Sequence, residues 1–253
     1  VELYQHQEEI IKTGGIGNPS GIPSLDKENG GFHNGQLIVI GARPSVGKSA
    51  LAGGMAVEMG KKNKVVGIIW LEMNNTEIAA RLCAYDTDTD FNVIYRGLYF
   101  DTTQRNELYR KIGHETSTLP IYVSEKTQVN IPEIRAKAEK LKSLHGLDCL
   151  IIDYLQLISA IGGSYNKNRE NEIAEMSRGC KIMAKELNIP VVLLCQLNRE
   201  VTKRKGQDRY PQLSDLRESG AIEQDADVVM FLHSDYLSGM TEDESGNTTE
   251  GKT

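Results

Sequence analysis

The sequence predicts an α/β domain with a mainly parallel central sheet flanked by helices. Three observations carry that prediction. Short apolar, β-branched runs alternate along the chain with stretches of helical periodicity. The first such run passes through a Gly/Pro/Ser loop directly into a helix-like stretch. The chain has 253 residues, which suits one large core, since single cores stop growing near ~250–300 residues.

Taken in order, residues Val1 to Pro23 are polar and broken by Gly14, Gly15, Gly17, Pro19, Gly21 and Pro23, which reads as a segment entering the domain. We place residues 1–20 in that linker and 21–253 in the folded unit. Leu37 to Gly41 reads as a strand and Lys48 to Lys61 as the helix after its loop. A strand over Val65 to Leu71 follows, then helices over Thr76 to Ala84 and Thr103 to Glu115, a short strand over Ile121 to Ser124 and a helix over Ile131 to His145. Cys149 to Asp153 (strand), Asn171 to Leu187 (helix), Val191 to Cys195 (strand) and Val228 to Leu232 (strand) complete the pattern. Such alternation implies right-handed crossovers and a buried, mainly parallel sheet, with ligands at the carboxyl ends of its strands. Two long loops, Ser159 to Arg169 and Asn198 to Leu213, interrupt it, and loops of that length inside a domain are usually functional.

Composition narrows the classes. Charged residues at 25% and apolar residues at 39% describe an ordinary globular chain, and a net charge of −6 argues against a protein coated in basic surface. The four cysteines and five histidines are scattered without ligand spacing, so no metal site built from side chains alone is expected and reduced thiols are. No stretch approaches the ~20 apolar residues of a membrane span, and the N-terminus lacks a signal-peptide pattern. The expectation is a cytoplasmic protein without a membrane partner. The chain begins at Val1 and closes in a polar stretch from Ser238 to Thr253, so both ends are expected to have been cut from a longer protein.

Four places carry chemistry. Ala42-Arg43-Pro44-Ser45-Val46-Gly47-Lys48-Ser49 matches the phosphate-binding loop G-x-x-x-x-G-K-S/T, with Ala42 in place of the first glycine. In such a loop backbone N–H groups and a helix N-terminus face the phosphates, Lys48 neutralises the β and γ groups, and Ser49 reaches Mg²⁺. The strand Cys149 to Asp153 ends in a carboxylate placed to hold that Mg²⁺. Glu72 follows a strand at the same sheet edge, where it serves either as the base for an attacking water or as a charge at a helix N-terminus. Gln196 and Asn198 end another strand there, where an amide can sense a γ-phosphate.

Beyond Gln196 the loop carries Arg199, Lys203, Arg204, Lys205 and Arg209 against Glu200 and Asp208. A solvated charge run explains such a stretch, and so does contact with a nucleic-acid backbone; its place beside the sensor favours the second. With Tyr210 the lone aromatic, base stacking is minor, so binding is expected to be indifferent to sequence and sensitive to salt.

Those segments, with Trp70-Leu71-Glu72-Met73, Ile151-Ile152-Asp153-Tyr154-Leu155-Gln156-Leu157 and the run Ser214-Asp215-Leu216-Arg217-Glu218-Ser219-Gly220-Ala221-Ile222-Glu223-Gln224-Asp225-Ala226-Asp227, resemble the DnaB replicative helicases from about Gly21 to Leu232. The resemblance implies a RecA-like P-loop NTPase fold over 21–253. It also implies a hexameric ring that encircles one strand of DNA, hydrolyses ATP with Mg²⁺ at subunit boundaries, translocates on single-stranded DNA and unwinds duplex DNA during replication. It makes Glu72 the catalytic base, Asp153 the Mg²⁺-holding acid and Gln196 the γ-phosphate sensor. Arg217, Glu218 and Gly220 become the loop that grips the DNA backbone. In the family an arginine finger lies beyond the last strand, and an amino-terminal domain docks primase; a helicase loader is a further family partner. This chain is expected to stop short of the finger, and losing it costs ~10³–10⁵ in rate in related phosphoryl transfer. Two rivals remain: a RecA-type recombinase, which shares the fold and loop but not the run from Arg217 to Asp227, and a nucleotide-gated assembly module without motor activity.

Overall fold

The computed structural model describes residues 4, 17–99, 101–125, 129–153, 155, 169–198, 201, 204, 210–216 and 220–238. Among them six parallel strands form one sheet in the order β3-β2-β4-β5-β1-β6. They are β1 (Leu37–Ala42), β2 (Val66–Trp70), β3 (Ile121–Glu125), β4 (Cys149–Asp153), β5 (Val191–Gln196) and β6 (Val228–Leu232). The helices are α1 (Pro23–Asn29), α2 (Lys48–Lys61), α3 (Asn75–Thr87), α4 (Phe91–Arg96), α5 (Thr102–His114), α6 (Ile131–His145), α7 (Arg169–Leu187) and α8 (Gly220–Asp225).

The central strands are apolar without alternation because helices cover both faces of the sheet. Alternate residues of each strand then feed two cores. Leu37 and Val39 join Ile152, Leu193, Met183 and Ile134 on one face, while Ile38 and Ile40 join Trp70, Ile151, Met55 and Ile78 on the other. The register aligns the carboxyl ends: Ala42 pairs with Gln196 and Trp70 with Asp153. The ends of β1, β2, β4 and β5 therefore open at one rim.

Local signals place the helices. Asn130 caps α6 with a reciprocal box to Glu133, and Gly146 closes it at φ 76°. Asn74 and Asp101 cap α3 and α5 by accepting from the N–H groups of Glu77 and Gln104. Lys61 at the end of α2 pairs with Asp86 of α3 at 3.0 Å, and the Thr116 hydroxyl donates to the same carboxylate at 2.5 Å.

The structure adds elements that periodicity did not predict. α1 and α4 are too short to show a 3.6-residue repeat, though each has its punctuation: Pro23 opens α1 and Gly30 closes it, and Asp90 and Gly97 bracket α4. β1 and β5 each run one residue further than expected, and β2 is shorter at both ends, which leaves Glu72 two residues past the strand. Asn18 and Ser20 are buried; Asn18 donates its amide to the Asp148 carbonyl and bridges Phe32.

The last part of the sheet is held by acids. Asp225, at the end of α8, pairs with Arg178 of α7 at 2.6 Å. Asp227 takes Lys181 of α7 at 2.6 Å and the backbone N–H of Leu37 at 2.7 Å. Within the run Ser214 to Asp227, these two carboxylates anchor the chain to α7 and β1.

Candidate nucleotide site

The loop between β1 and α2 takes its shape from two residues in the left-handed region, Ser45 at φ 66° and Gly47 at φ 102°. Alternating conformations of this kind turn successive N–H groups toward one point, which makes an anion-binding concavity. A Cβ built on Gly47 would meet nothing within 4 Å, so glycine is required there by backbone conformation and not by crowding. Ala42 is the last residue of β1 and is not among the residues of positive φ. The first glycine of the pattern is dispensable for that reason.

Lys48 and Ser49 form the first turn of α2, whose leading N–H groups have no intrahelical acceptor. Both side chains converge on Asp153, which is 0% exposed: Ser49 Oγ donates to Oδ2 at 2.5 Å, and Lys48 Nζ stands 3.2 Å from Oδ1. That Oδ1 is buried and accepts no well-aligned hydrogen bond. A buried carboxylate oxygen left with one ion pair, beside a hydroxyl aimed at the same carboxylate, suits the hard oxygen environment of Mg²⁺. Among the described residues no group of three or more His, Cys, Asp or Glu gathers into a metal cluster. A divalent ion here would be shared with phosphate oxygens, and the residues fit that arrangement.

In front of this pair lies a cavity of about 520 Å³. Ala42, Arg43, Pro44, Ser45, Gly47, Lys48 and Ser49 line it from the loop side, and Glu72 and Gln196 from the rim. Val46, the remaining member of the expected loop, donates its N–H to the Arg43 carbonyl within the turn. Cys195, one residue before Gln196, is fully buried; burial pushes its thiol up to about 12, against a smaller downward pull from Lys48. It adds no charge behind the site at neutral pH.

Residues beyond those expected also shape the cavity. Met73, Glu77 and Arg81 complete its wall. Arg81 Nη2 pairs with Glu77 at 2.9 Å, its Nε donates to the Met73 sulfur, and its guanidinium lies 4.7 Å from the Phe91 ring centroid. In the sequence Glu77 and Arg81 show only the i,i+4 spacing of a helix-surface pair, which does not by itself place them at the cavity. Arg43 points the other way, donating from Nη1 to the Leu197 carbonyl at 2.9 Å.

Of the residues expected to meet DNA, Arg199, Lys203, Arg217 and Glu218 lie outside the described residues. Gly220 opens α8 and lines a second cavity, of about 390 Å³, with Leu213, Leu216 and Glu170. Arg204 is engaged within the protein: Nη1 donates to Asp215 Oδ2 at 2.9 Å, and Nη2 to Oδ1 at 2.5 Å.

A parallel sheet in this order, with a phosphate loop after its first strand and carboxylate and amide at the neighbouring strand ends, defines a RecA-like P-loop domain. Residues 17–252 match the DnaB-like helicase C terminal domain, and the chain belongs to that family. It is similar to the replicative DNA helicase DnaB of Rickettsia prowazekii, 42% identical over 229 residues that cover 86% of this chain and 46% of the relative. Among solved structures it resembles one described as an ATPase domain, with a TM-score of 0.85 and 34% identity over 99% of this chain and 90% of that one. It also resembles a DnaB-like replicative helicase described with its interactions with primase, with a TM-score of 0.83 and 34% identity, covering 98% of this chain and 61% of that one. The chain spans about half the length of the curated relatives it matches. Among the described residues no helix is long and apolar enough to cross a membrane.

Proposed function

We propose that this domain is the ATP-driven motor of a replicative DNA helicase, which translocates on single-stranded DNA and unwinds duplex DNA. The observation that carries the reading is the convergence of Lys48 and Ser49 on buried Asp153, beneath a cavity that Glu72 and Gln196 close at its rim. Lys48 binds the β- and γ-phosphates of ATP, and the N–H groups of the loop orient them. Ser49 and Asp153 would hold Mg²⁺, which would supply positive charge to the phosphates. Glu72 accepts the proton of the attacking water at its carboxylate. Gln196 contacts the γ-phosphate and reports its presence along β5 to the following loop.

In the same reading Arg199, Lys203, Arg217, Glu218 and the backbone at Gly220 hold the DNA strand, mostly through its phosphates. Subunits assemble into a hexameric ring, and primase and a helicase loader are the protein partners of the longer protein, in the cytoplasm. Support for primase as a partner comes from the similar structure described with its interactions with primase. Residues 21–253 act as the motor domain and 1–20 as the linker entering it, whose Asn18 and Ser20 are packed against the domain.

DNA-stimulated ATP turnover, measured beside strand displacement, tests the proposal. Turnover with magnesium that rises with single-stranded DNA, together with displacement of a paired strand, is expected. Strand exchange without displacement would point to a recombinase, and turnover indifferent to DNA would point to an assembly module; either result overturns the motor reading.

A further inference from the structure

Asp215 ends a short 3-10 turn, Leu213–Asp215, and is 2% exposed. A carboxylate taken so far out of water must be paired and fully hydrogen-bonded. Arg204 supplies both arms of its guanidinium, at 2.9 Å and 2.5 Å, and the Gln212 N–H donates to Oδ2 at 2.7 Å. A buried ion pair of this type contributes little net stability, because desolvation offsets the attraction. What the planar fork does fix is relative position.

The positions it fixes lead from the nucleotide cavity to the residues that precede Arg217 in the chain. Leu197 follows Gln196 and is held from both sides by the phosphate loop. Its N–H donates to the Ala42 carbonyl at 3.0 Å, and its carbonyl accepts from Arg43 Nη1 at 2.9 Å. The next residue, Asn198, donates its N–H to the Asp215 carbonyl at 3.0 Å. Asp215 in turn stands two positions before Arg217. An unbroken path of hydrogen bonds and peptide links thus runs from Ala42 and Arg43, through 197 and 198, to Asp215, and Arg204 ties the basic loop to the same carboxylate.

We infer that the Arg204–Asp215 pair is a positioning clamp that couples the nucleotide cavity to the DNA-gripping segment, and that Arg204 is not itself a phosphate contact. This rests on the motor reading above. Both residues act through Arg217 and its neighbours. Two of the guanidinium N–H donors are committed to the buried carboxylate, whose charge offsets that of Arg204, so removing the side chain is expected to change how DNA affinity responds to nucleotide and to leave the electrostatic footprint on DNA unchanged.

The test uses the full chain and a fluorescein-labelled thymidine oligomer, with anisotropy read over a salt series in magnesium plus either ADP or a non-hydrolysable ATP analogue. For the unsubstituted chain the two nucleotides are expected to give DNA affinities that differ by ~5–150-fold, the usual span of such coupling. In Arg204→Met and Asp215→Asn the ratio is expected to fall below about twofold, with nucleotide affinity and the slope of log affinity against log salt both retained. Arg204→Lys keeps the charge and loses the fork; it behaves like Arg204→Met if the clamp is correct and like the unsubstituted chain if Arg204 meets phosphate. Lys203→Met provides the contrast, weakening binding equally with both nucleotides and lowering the salt slope by ~1. Arg204→Met following the Lys203→Met pattern, or keeping the full nucleotide ratio, would overturn the clamp. Absence of any nucleotide ratio in the unsubstituted chain would instead overturn the motor reading, and the clamp with it. Should Arg204→Met fail to fold, Arg204→Lys decides alone.

Discussion

Ser49 donates its hydroxyl hydrogen to Asp153 across 2.5 Å, joining the first turn of α2 to the last residue of β4. Residues 104 positions apart in the chain thus meet at one carboxylate, around which the proposed nucleotide chemistry is organised. Lys48 comes to the other oxygen of the same group. Lys48→Ala is therefore expected to abolish nucleotide binding, since it removes charge-assisted hydrogen bonds worth ~1.5–3 kcal/mol each. Glu72→Gln, at the rim, is expected to keep binding and lose turnover by ~10²–10⁴. Titration with a fluorescent nucleotide and a phosphate-release assay check the pair; equal loss of binding in both variants would remove Glu72 from the role of base.

Asp153→Asn separates the metal from the phosphates. An amide keeps the size of the group but lacks its charge, so nucleotide affinity in magnesium is expected to fall by ~10–100-fold, while affinity in EDTA changes little. Equal weakening in both conditions would show that Asp153 acts only by holding Lys48 and Ser49 in place.

What could be read beforehand follows from how far apart the determinants lie. The bounds of α2, α6 and β4 were legible because each depends on neighbours in sequence: Gly47 before Lys48, the Asn130 and Glu133 box with Gly146, an apolar run ending at Asp153. The phosphate loop was legible from its motif, and strand-end position placed Asp153 and Gln196 beside it, since a parallel sheet brings such ends to one rim. Arg81 on the cavity wall could not, because its placement depends on α3 folding back across the end of β2. The fate of Arg204 was equally hidden. Eleven residues from Asp215 in sequence, it reads as one more cation in a basic loop, and only packing shows that carboxylate to be buried.

Gly47→Ala isolates backbone strain. Its φ of 102° is hostile to a side chain, yet the space around a new Cβ is open. The cost of ~1–3 kcal/mol is therefore conformational, and the loop is expected to relax away from its anion-binding shape. Nucleotide affinity should drop while the melting temperature falls by no more than a few degrees, as calorimetry without nucleotide would show. An unchanged affinity would mean that the loop tolerates the strain.

The thiols offer a check on burial. Cys180 and Cys195 are fully buried, which pushes each up to about 12, and burial raises Cys149 further. Cys83 is only half-buried, with a smaller rise from burial and from Asp86. Since the thiolate is the reactive form, alkylation of the folded protein at pH 8 is expected to begin at Cys83 and to reach the other three only after denaturation. Peptide mass mapping over time reads the order, and early modification of Cys195 would contradict its placement behind the nucleotide cavity.

Asp86 links α2 and α3, and its effect on stability depends on pH with a definite sign. Its side chain is 6% exposed; burial alone would raise its carboxyl, but the Thr116 hydroxyl, Lys61 and Lys111 outweigh that and hold it below the ordinary value. A carboxyl lower in the folded state than in the unfolded one, where it titrates near ~3.9, stabilises the fold fully above that value and loses the effect as pH falls through its folded value. Lys61 answers with a raised value: burial lowers it, and its bonds to Asp86 and Glu58 more than reverse the loss. Asp86→Asn is therefore expected to cost about 1–2 kcal/mol at pH 7, a fall of ~2–8 °C in Tm for a domain of this size. The gap between the variant and the unsubstituted chain should begin to narrow as pH drops below the unfolded value of ~3.9 and close only below the lower folded value, where the aspartate is as neutral as the amide in both states. Thermal melts from pH 7 downward follow the gap; a constant difference across that range would show that shape, not charge, makes Asp86 matter.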